Sequence, residues 1–266
     1  MRLRVKAIAD RPCDLPFNYQ YQLHSAIYHL IGLFSQEYFG FRHDEGLQSL
    51  SDRLKKYRLF TFSKLNVYPY CVDRSGFTLV KRVDFVFSTA IARSYEHLVQ
   101  AIFVNKSLCL RFGSEELNFT ISEVESVRQP RLGNIAHFVC LSPITISSKR
   151  DEADGRSESH FLDYQNPQER DGLIANLHLN LVRKYEAIQK FPFEGETAFE
   201  FEIDPAYLER RQGKIDKLIH FKNGMKIKAF EAPFRVKADP RLIRIGYECG
   251  FGEQNSAGFG CVEDAG

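Results

Sequence analysis

The chain has no Cys-x-x-Cys pair, no apolar run long enough to span a bilayer and almost no net charge. Each absence excludes something. The six cysteines, Cys13, Cys71, Cys109, Cys140, Cys249 and Cys261, are scattered, which argues against a zinc centre. Several stand among apolar neighbours, as Cys109 does between Leu108 and Leu110, and read as reduced core residues. A transmembrane helix needs about 20 consecutive apolar residues, and no stretch supplies them. The first residues, Met1-Arg2-Leu3-Arg4-Val5-Lys6, alternate charge with apolar groups, unlike a secretory leader. The expected location is therefore cytoplasmic. Lysine and arginine number 36 against 34 acidic residues, a net +2, so bulk charge does not announce a nucleic-acid binder. Distribution matters more than the sum. Arg210, Arg211, Lys214, Lys217, Lys222, Lys226 and Lys228 make one region locally basic, and Lys55, Lys56, Arg58 and Lys64 make another. A glycine-rich run near the C-terminus lacks the Gly-Lys-Ser/Thr of a triphosphate loop. A helix rather than a strand precedes it, which excludes a dinucleotide fingerprint.

What is present suits a soluble globular protein. Over 266 residues, 44% are hydrophobic and 26% charged, enough for one large core or two ordinary ones. Leu3, Val5 and Ala7 alternate with charges, the pattern of a strand with one buried face. Leu23, Ala26, Ile27, Leu30 and Ile31 predict a helix over 19–34, with His24 and Tyr28 one turn apart on an adjoining face. Strands are expected from Leu59 and over 76–88, a helix over 89–104, and strands over 108–112 and 117–127. This order is a ferredoxin-like βαββαβ unit. After a linker it restarts: a strand over 138–144, a charged mobile loop over 149–158, a helix over 167–189 and a strand over 199–203. A hairpin turning at Asn223-Gly224, a helix opened by Asp239-Pro240 and a last strand near Cys261 follow. The predicted fold class is α+β, two tandem ferredoxin-like (RRM-like) domains, 1–128 and 136–266, joined by a linker at 129–135.

The C-terminal run Gly246-Tyr247-Glu248-Cys249-Gly250-Phe251-Gly252-Glu253-Gln254-Asn255-Ser256-Ala257-Gly258-Phe259-Gly260 holds two Gly-Phe-Gly triplets around a polar segment. By composition alone it reads as a glycine-punctuated hairpin closing a sheet, or as a loop whose free N–H groups cradle an anion. As an ordered pattern it resembles the glycine-rich signature of the CRISPR repeat-processing endoribonucleases, the sixth of the Cas protein families, within the RAMP superfamily. Asn18-Tyr19-Gln20-Tyr21-Gln22-Leu23, Ala26-Ile27-Tyr28, Arg58-Leu59-Phe60-Thr61-Phe62-Ser63 and Ser142-Pro143-Ile144 extend the resemblance along the chain.

The resemblance implies an endoribonuclease that cleaves CRISPR precursor RNA within its repeats. It places the active-site histidine at His43, with Tyr28 as its partner. Arg58 stands where many relatives carry lysine; it suits charge stabilisation but cannot act as an acid at neutral pH. Lys55 or Lys56 is the alternative cation. His24 competes with His43, because it shares a helix face with Tyr28. RNA brings its own nucleophile, the 2′-OH, so proton transfer and charge stabilisation suffice and neither metal nor cofactor is expected. The expected products carry 2′,3′-cyclic phosphate and 5′-OH ends.

For RNA binding the candidates are Lys56, Lys214, Lys217, Lys222 and Lys226, with Gly250, Gly252, Gly258 and Gly260 of the loop. Lysines on one face of the 214–228 ribbon would track a phosphate backbone. Phe251 and Phe259 read as loop anchors rather than base-stacking platforms. The implied partners are precursor and mature guide RNA, CRISPR effector subunits and a second copy of the chain, with no membrane. Two other readings stand: a non-catalytic repeat-RNA-binding protein of an effector complex, and a protein-interaction module.

Overall fold

Alternating charge and apolar residues at the start of the chain produce a long strand, β1 (Arg2–Pro16), with Leu3, Val5 and Ala7 buried. The computed structural model describes residues 1–32, 47–48, 56–151, 157–221 and 224–266, with the backbone alone at 47–48, 56–57, 150–151 and 157–158. After β1 come α1 (Gln20–Gly32), a short ribbon of β2 (Leu47–Gln48) and β3 (Lys56–Tyr57), then β4 (Phe60–Phe62), β5 (Asn66–Tyr68), β6 (Cys71–Val72) and β7 (Gly76–Thr89). The unit closes with α2 (Ala92–Asn105), β8 (Ser107–Phe112) and β9 (Glu115–Ser126). The sheet runs β4-β7-β1-β9-β8, with β5 and β6 also paired to β7. β1 is longer than its alternation predicts. Register shifts between Ile8, Cys13 and Leu15 let it bend and continue to Pro16, which pairs with Gly76. Helix α1 buries Leu23, Ala26, Ile27, Leu30 and Ile31, the stripe its 3.6-residue period dictates.

The second unit repeats the order. It contains β10 (Ile135–Cys140), β11 (Ser147–Asp151), β12 (Ser157–Phe161), α3 (Pro167–Gln189), β13 (Glu200–Ile203), α4 (Pro205–Arg210), β14 (Asp216–His220), β15 (Lys226–Phe230), β16 (Phe234–Lys237), α5 (Pro240–Cys249), a 3₁₀ turn (Asn255–Ala257) and β17 (Val262–Asp264). The sheet order β13-β16-β10-β17 matches β4-β7-β1-β9 position for position. In both, the first and third strands of the βαββαβ sequence lie side by side in the middle. The fold is thus two ferredoxin-like units in tandem. Strand β10 begins and ends earlier than the apolar run at 138–144 predicts, because the chain leaves the sheet after Cys140 to meet the first unit. Of the segment expected as a charged mobile loop, the described residues are instead strand-paired in β11 and β12, with Lys149 opposite Ser159, and 152–156 lie outside the described residues. Its charges did not prevent pairing, because buried Ile146 and the packed ring of Phe161 anchor the two arms. Cys71 is exposed, unlike the core cysteines Cys249 and Cys261. Among the described residues no helix is long and apolar enough to cross a membrane.

The two units share a polar seam. Lys64 N donates to Leu141 O (3.0 Å), Thr61 Oγ1 to Phe259 O (2.9 Å) and Ser88 Oγ to Tyr247 O (3.3 Å). The buried guanidinium of Arg2 lies 4.1 Å from the centre of the Tyr247 ring and donates to Val262 O. Strand β1 of one unit is therefore tied to the last strand of the other.

Candidate active site

Gln20, His24 and Tyr28 are spaced i, i+4, i+8, so they form one stripe along α1. The loop holds the first two and the approach to β4 holds the third. Gln20 Nε2 donates to Gly258 O (2.7 Å), and His24 Nδ1 lies 2.8 Å from Ser256 O. Arg58 Nη1 donates to Tyr28 Oη (2.8 Å). The His24 and Tyr28 rings are 4.3 Å apart, and the Arg58 guanidinium carbon is 5.1 Å from the Tyr28 ring centre. Arg58 is delivered by the residues leading into β4, where Phe60 packs 5.5 Å from Tyr28. Phe221, at the end of the β14–β15 hairpin, closes the other side, 5.7 Å from His24 and 5.3 Å from Tyr21. A carbonyl only accepts hydrogen bonds, so Nδ1 carries the proton in this geometry and Nε2 is the basic nitrogen of neutral His24.

The structure thus brings together Tyr28, Arg58 and the competitor His24. Tyr28 is a half-buried tyrosine at the edge of the core that also presents its hydroxyl to a cation. His43, Lys55 and Lys222 lie outside the described residues, as does the side chain of Lys56.

The glycine-rich run is a wedge between the units. Helix α5 enters it with its C-terminal end, which presents carbonyls rather than N–H groups. The anion-cradle reading is corrected accordingly. The buried ammonium of Lys184 donates to Gly250 O (2.7 Å) and Gly252 O (2.8 Å). The N–H groups of Phe251, Glu253, Ala257, Gly258 and Gly260 all donate to backbone carbonyls. Asn255 Nδ2 bridges Phe251 O (3.1 Å) and Phe259 O (3.0 Å). Gly250, Gly252, Gly258 and Gly260 are buried, and Phe251 and Phe259 anchor the loop from beneath. Gly258 has φ of 87°, and a Cβ there would overlap the ring of Phe62. The loop surface is left to exposed Gln254, with Glu253 and Ser256 half-buried beside it.

The hairpin lysines do not share a face. Cross-strand partners lie on the same side, and Lys217 pairs with Ala229 while Lys228 pairs with Leu218 and Lys226 with His220. Ile227 and Ala229 occupy the side that packs on Ala257 and Phe259, so Lys217 belongs to that side and Lys226 to the other. Lys228 Nζ is bound to an Asp163 carboxylate oxygen at 2.6 Å, which raises the lysine pKa. Lys214 is exposed where the hairpin begins.

Fold and site together define a class: tandem ferredoxin-like proteins whose C-terminal glycine-rich loop is clamped against the first helix of the N-terminal unit. The family profile described as "CRISPR associated protein Cas6, C-terminal" matches residues 125–263, and the chain belongs to this family. It is 28% identical over 263 residues to "CRISPR-associated endoribonuclease Cas6 1" of Methanocaldococcus jannaschii, covering 98% of this chain and 92% of that one. It is also 28% identical over 262 residues to "CRISPR-associated endoribonuclease Cas6" of Pyrococcus furiosus, covering 96% and 85%. A solved structure described as "CRISPR associated protein Cas6" superposes with a TM-score of 0.77 at 28% identity, over 100% of this chain and 99% of the other.

Proposed function

We propose that the protein is a metal-independent endoribonuclease that cuts CRISPR precursor RNA within its repeats. The observation that carries this reading is the Arg58–Tyr28 hydrogen bond beside the loop of a Cas6 family member, whose similar relatives are named endoribonucleases. The 2′-OH next to the scissile phosphate attacks phosphorus, the bond to O5′ breaks, and a 2′,3′-cyclic phosphate and a 5′-OH result. Tyr28 positions the 2′-OH, and Arg58 faces the charge that builds on the phosphoryl oxygens. His43 serves in proton transfer, a role that suits imidazole because its unperturbed pKa lies near neutrality. In this reading residues 1–128 carry the reacting groups, 129–135 link the units, and 136–266 present the loop. Lys56, Lys214, Lys217, Lys222 and Lys226 contact phosphates, and the glycines shape a surface that RNA meets through Gln254. The partners are precursor and guide RNA, effector subunits and a second copy of the chain, in the cytoplasm.

The test is end-labelled repeat RNA incubated with the protein in EDTA, with product ends identified chemically. Cutting that yields cyclic phosphate is expected, with a loss of about 10²–10⁴-fold in His43→Ala. Tight binding without cutting at any pH would support the non-catalytic RNA-holding alternative instead.

A further inference from the structure

We infer that His24 is a second proton-transfer residue of this site, and that the glycine-rich loop acts in the reaction by fixing its tautomer. The inference rests on the reading just given. Two distances carry it: His24 Nδ1 is 2.8 Å from Ser256 O, and the His24 ring is 4.3 Å from that of Tyr28, whose hydroxyl is held by Arg58 at 2.8 Å. The first contact leaves Nε2 as the basic nitrogen of the neutral ring. The second sets that ring beside the groups assigned to the 2′-OH and the phosphate. A carbonyl behind a catalytic imidazole does the orienting work that a third group does in any nucleophile–base pair.

The loop can do this because it is rigidly held. Its Ser256 carbonyl follows the Asn255 side chain, which is bonded to Phe251 O and Phe259 O, and Gln20, one turn before His24, is bonded to Gly258 O. Helix α1 is therefore tied to the loop at Gln20 as well as at His24, and the loop is braced internally by Asn255. Phe221 packs edge-on against the ring from the hairpin, 5.7 Å away.

In the proposed step, Nε2 of His24 takes the proton from the 2′-OH as O2′ bonds to phosphorus. The P–O5′ bond breaks, and O5′ receives a proton from a general acid of the reaction. His24 leaves the step as an imidazolium and returns its proton to solvent. Three bonds form (O2′–P, Nε2–H and O5′–H), three break (O2′–H, P–O5′ and the acid's bond to hydrogen), and no oxidant or reductant is required.

The experiment compares His24→Ala with wild type on the same labelled repeat RNA, at saturating protein, with and without added imidazole. Nitrogen-15 NMR of the imidazole signals first reads whether Nδ1 of His24 is protonated. We expect a protonated Nδ1, a single-turnover rate lowered about 10²–10⁴-fold, unchanged RNA affinity, and partial restoration of the rate by imidazole. A merely structural histidine would lose affinity or folding and would not respond to imidazole. His24→Asn retains a side-chain donor to the Ser256 carbonyl and keeps the test informative if the alanine variant misfolds. It is expected to fold and bind but to cut as slowly. Wild-type cutting with undiminished cutting by either variant overturns the inference alone. A wild type that leaves every repeat RNA intact overturns the endoribonuclease reading and this inference with it.

Discussion

The Lys184 ammonium and the Gly250 carbonyl are joined by a buried 2.7 Å hydrogen bond, and the same ammonium reaches Gly252 O at 2.8 Å. A lysine from the C-terminal part of α3 thereby satisfies carbonyls of the loop just past the C-terminal end of α5, where the helix dipole favours a cation. It also faces Cys249, whose thiol burial pushes up to about 12, with Lys184 pulling the other way.

Lys184→Met keeps the aliphatic stem and removes the donor. It leaves two buried carbonyls without this partner, so a loss of about 1–3 kcal/mol is expected from denaturant unfolding. Because the loop sets the position of Ser256, RNA cutting should fall as well, even at temperatures where the variant is fully folded. Wild-type stability would show that the two carbonyls find other donors.

Gly258→Ala probes the close approach of the loop to β4. The residue sits at φ 87°, and the added methyl would overlap Phe62, itself fully buried. The left-handed conformation costs about 1–2 kcal/mol for a residue with Cβ, and overpacking adds about 1–3 kcal/mol. Melting curves should show the loss, and the seam between the units should loosen near Thr61 and Phe259. Hydrogen exchange at the Gly260 amide, bonded to Pro143 O at 2.7 Å, reads that loosening directly.

In the proposed reaction Arg58 meets phosphoryl charge rather than donating a proton. Arg58→Ala should lower the single-turnover rate by about 10²–10³-fold, the range for losing one preorganised donor. RNA affinity should change much less. Arg58→Lys keeps the charge but not the planar fork, so its rate should fall between the two. Equal loss of affinity and rate would make Arg58 a simple phosphate contact.

The tandem βαββαβ order was legible because both periodicities are strong. The alternation in β1 and the apolar stripes of α1 and α3 survive single-sequence reading. Other features were hidden for physical reasons. The β11–β12 pair has the charged composition of a loop, while apolar Ile146 and Phe161 beside it pack into the structure. Lys184 stands in the apolar stripe of α3 with Leu177 and Leu181, a break in pattern that single-sequence reading passes over because the carbonyls it meets lie 66 and 68 residues further on. The Gln20-His24-Tyr28 stripe was visible as a polar helix face. Its partners were not, since Ser256 lies 232 residues beyond His24 and only the tertiary fold brings them together. The glycine spacing signalled tight backbone geometry correctly, but whether those glycines meet a phosphate or a phenylalanine ring is decided by packing across the seam.

The central claim, that the RNA supplies its own nucleophile, is tested most directly by one substitution in the substrate. A repeat RNA carrying a single 2′-deoxyribose immediately 5′ of the scissile phosphate keeps nearly all binding contacts and deletes the attacking hydroxyl. With EDTA present, we predict wild-type affinity and no cleavage at that bond, while the all-ribose RNA is cut to a 2′,3′-cyclic phosphate. Cleavage of the deoxy substrate at the same bond would contradict the account.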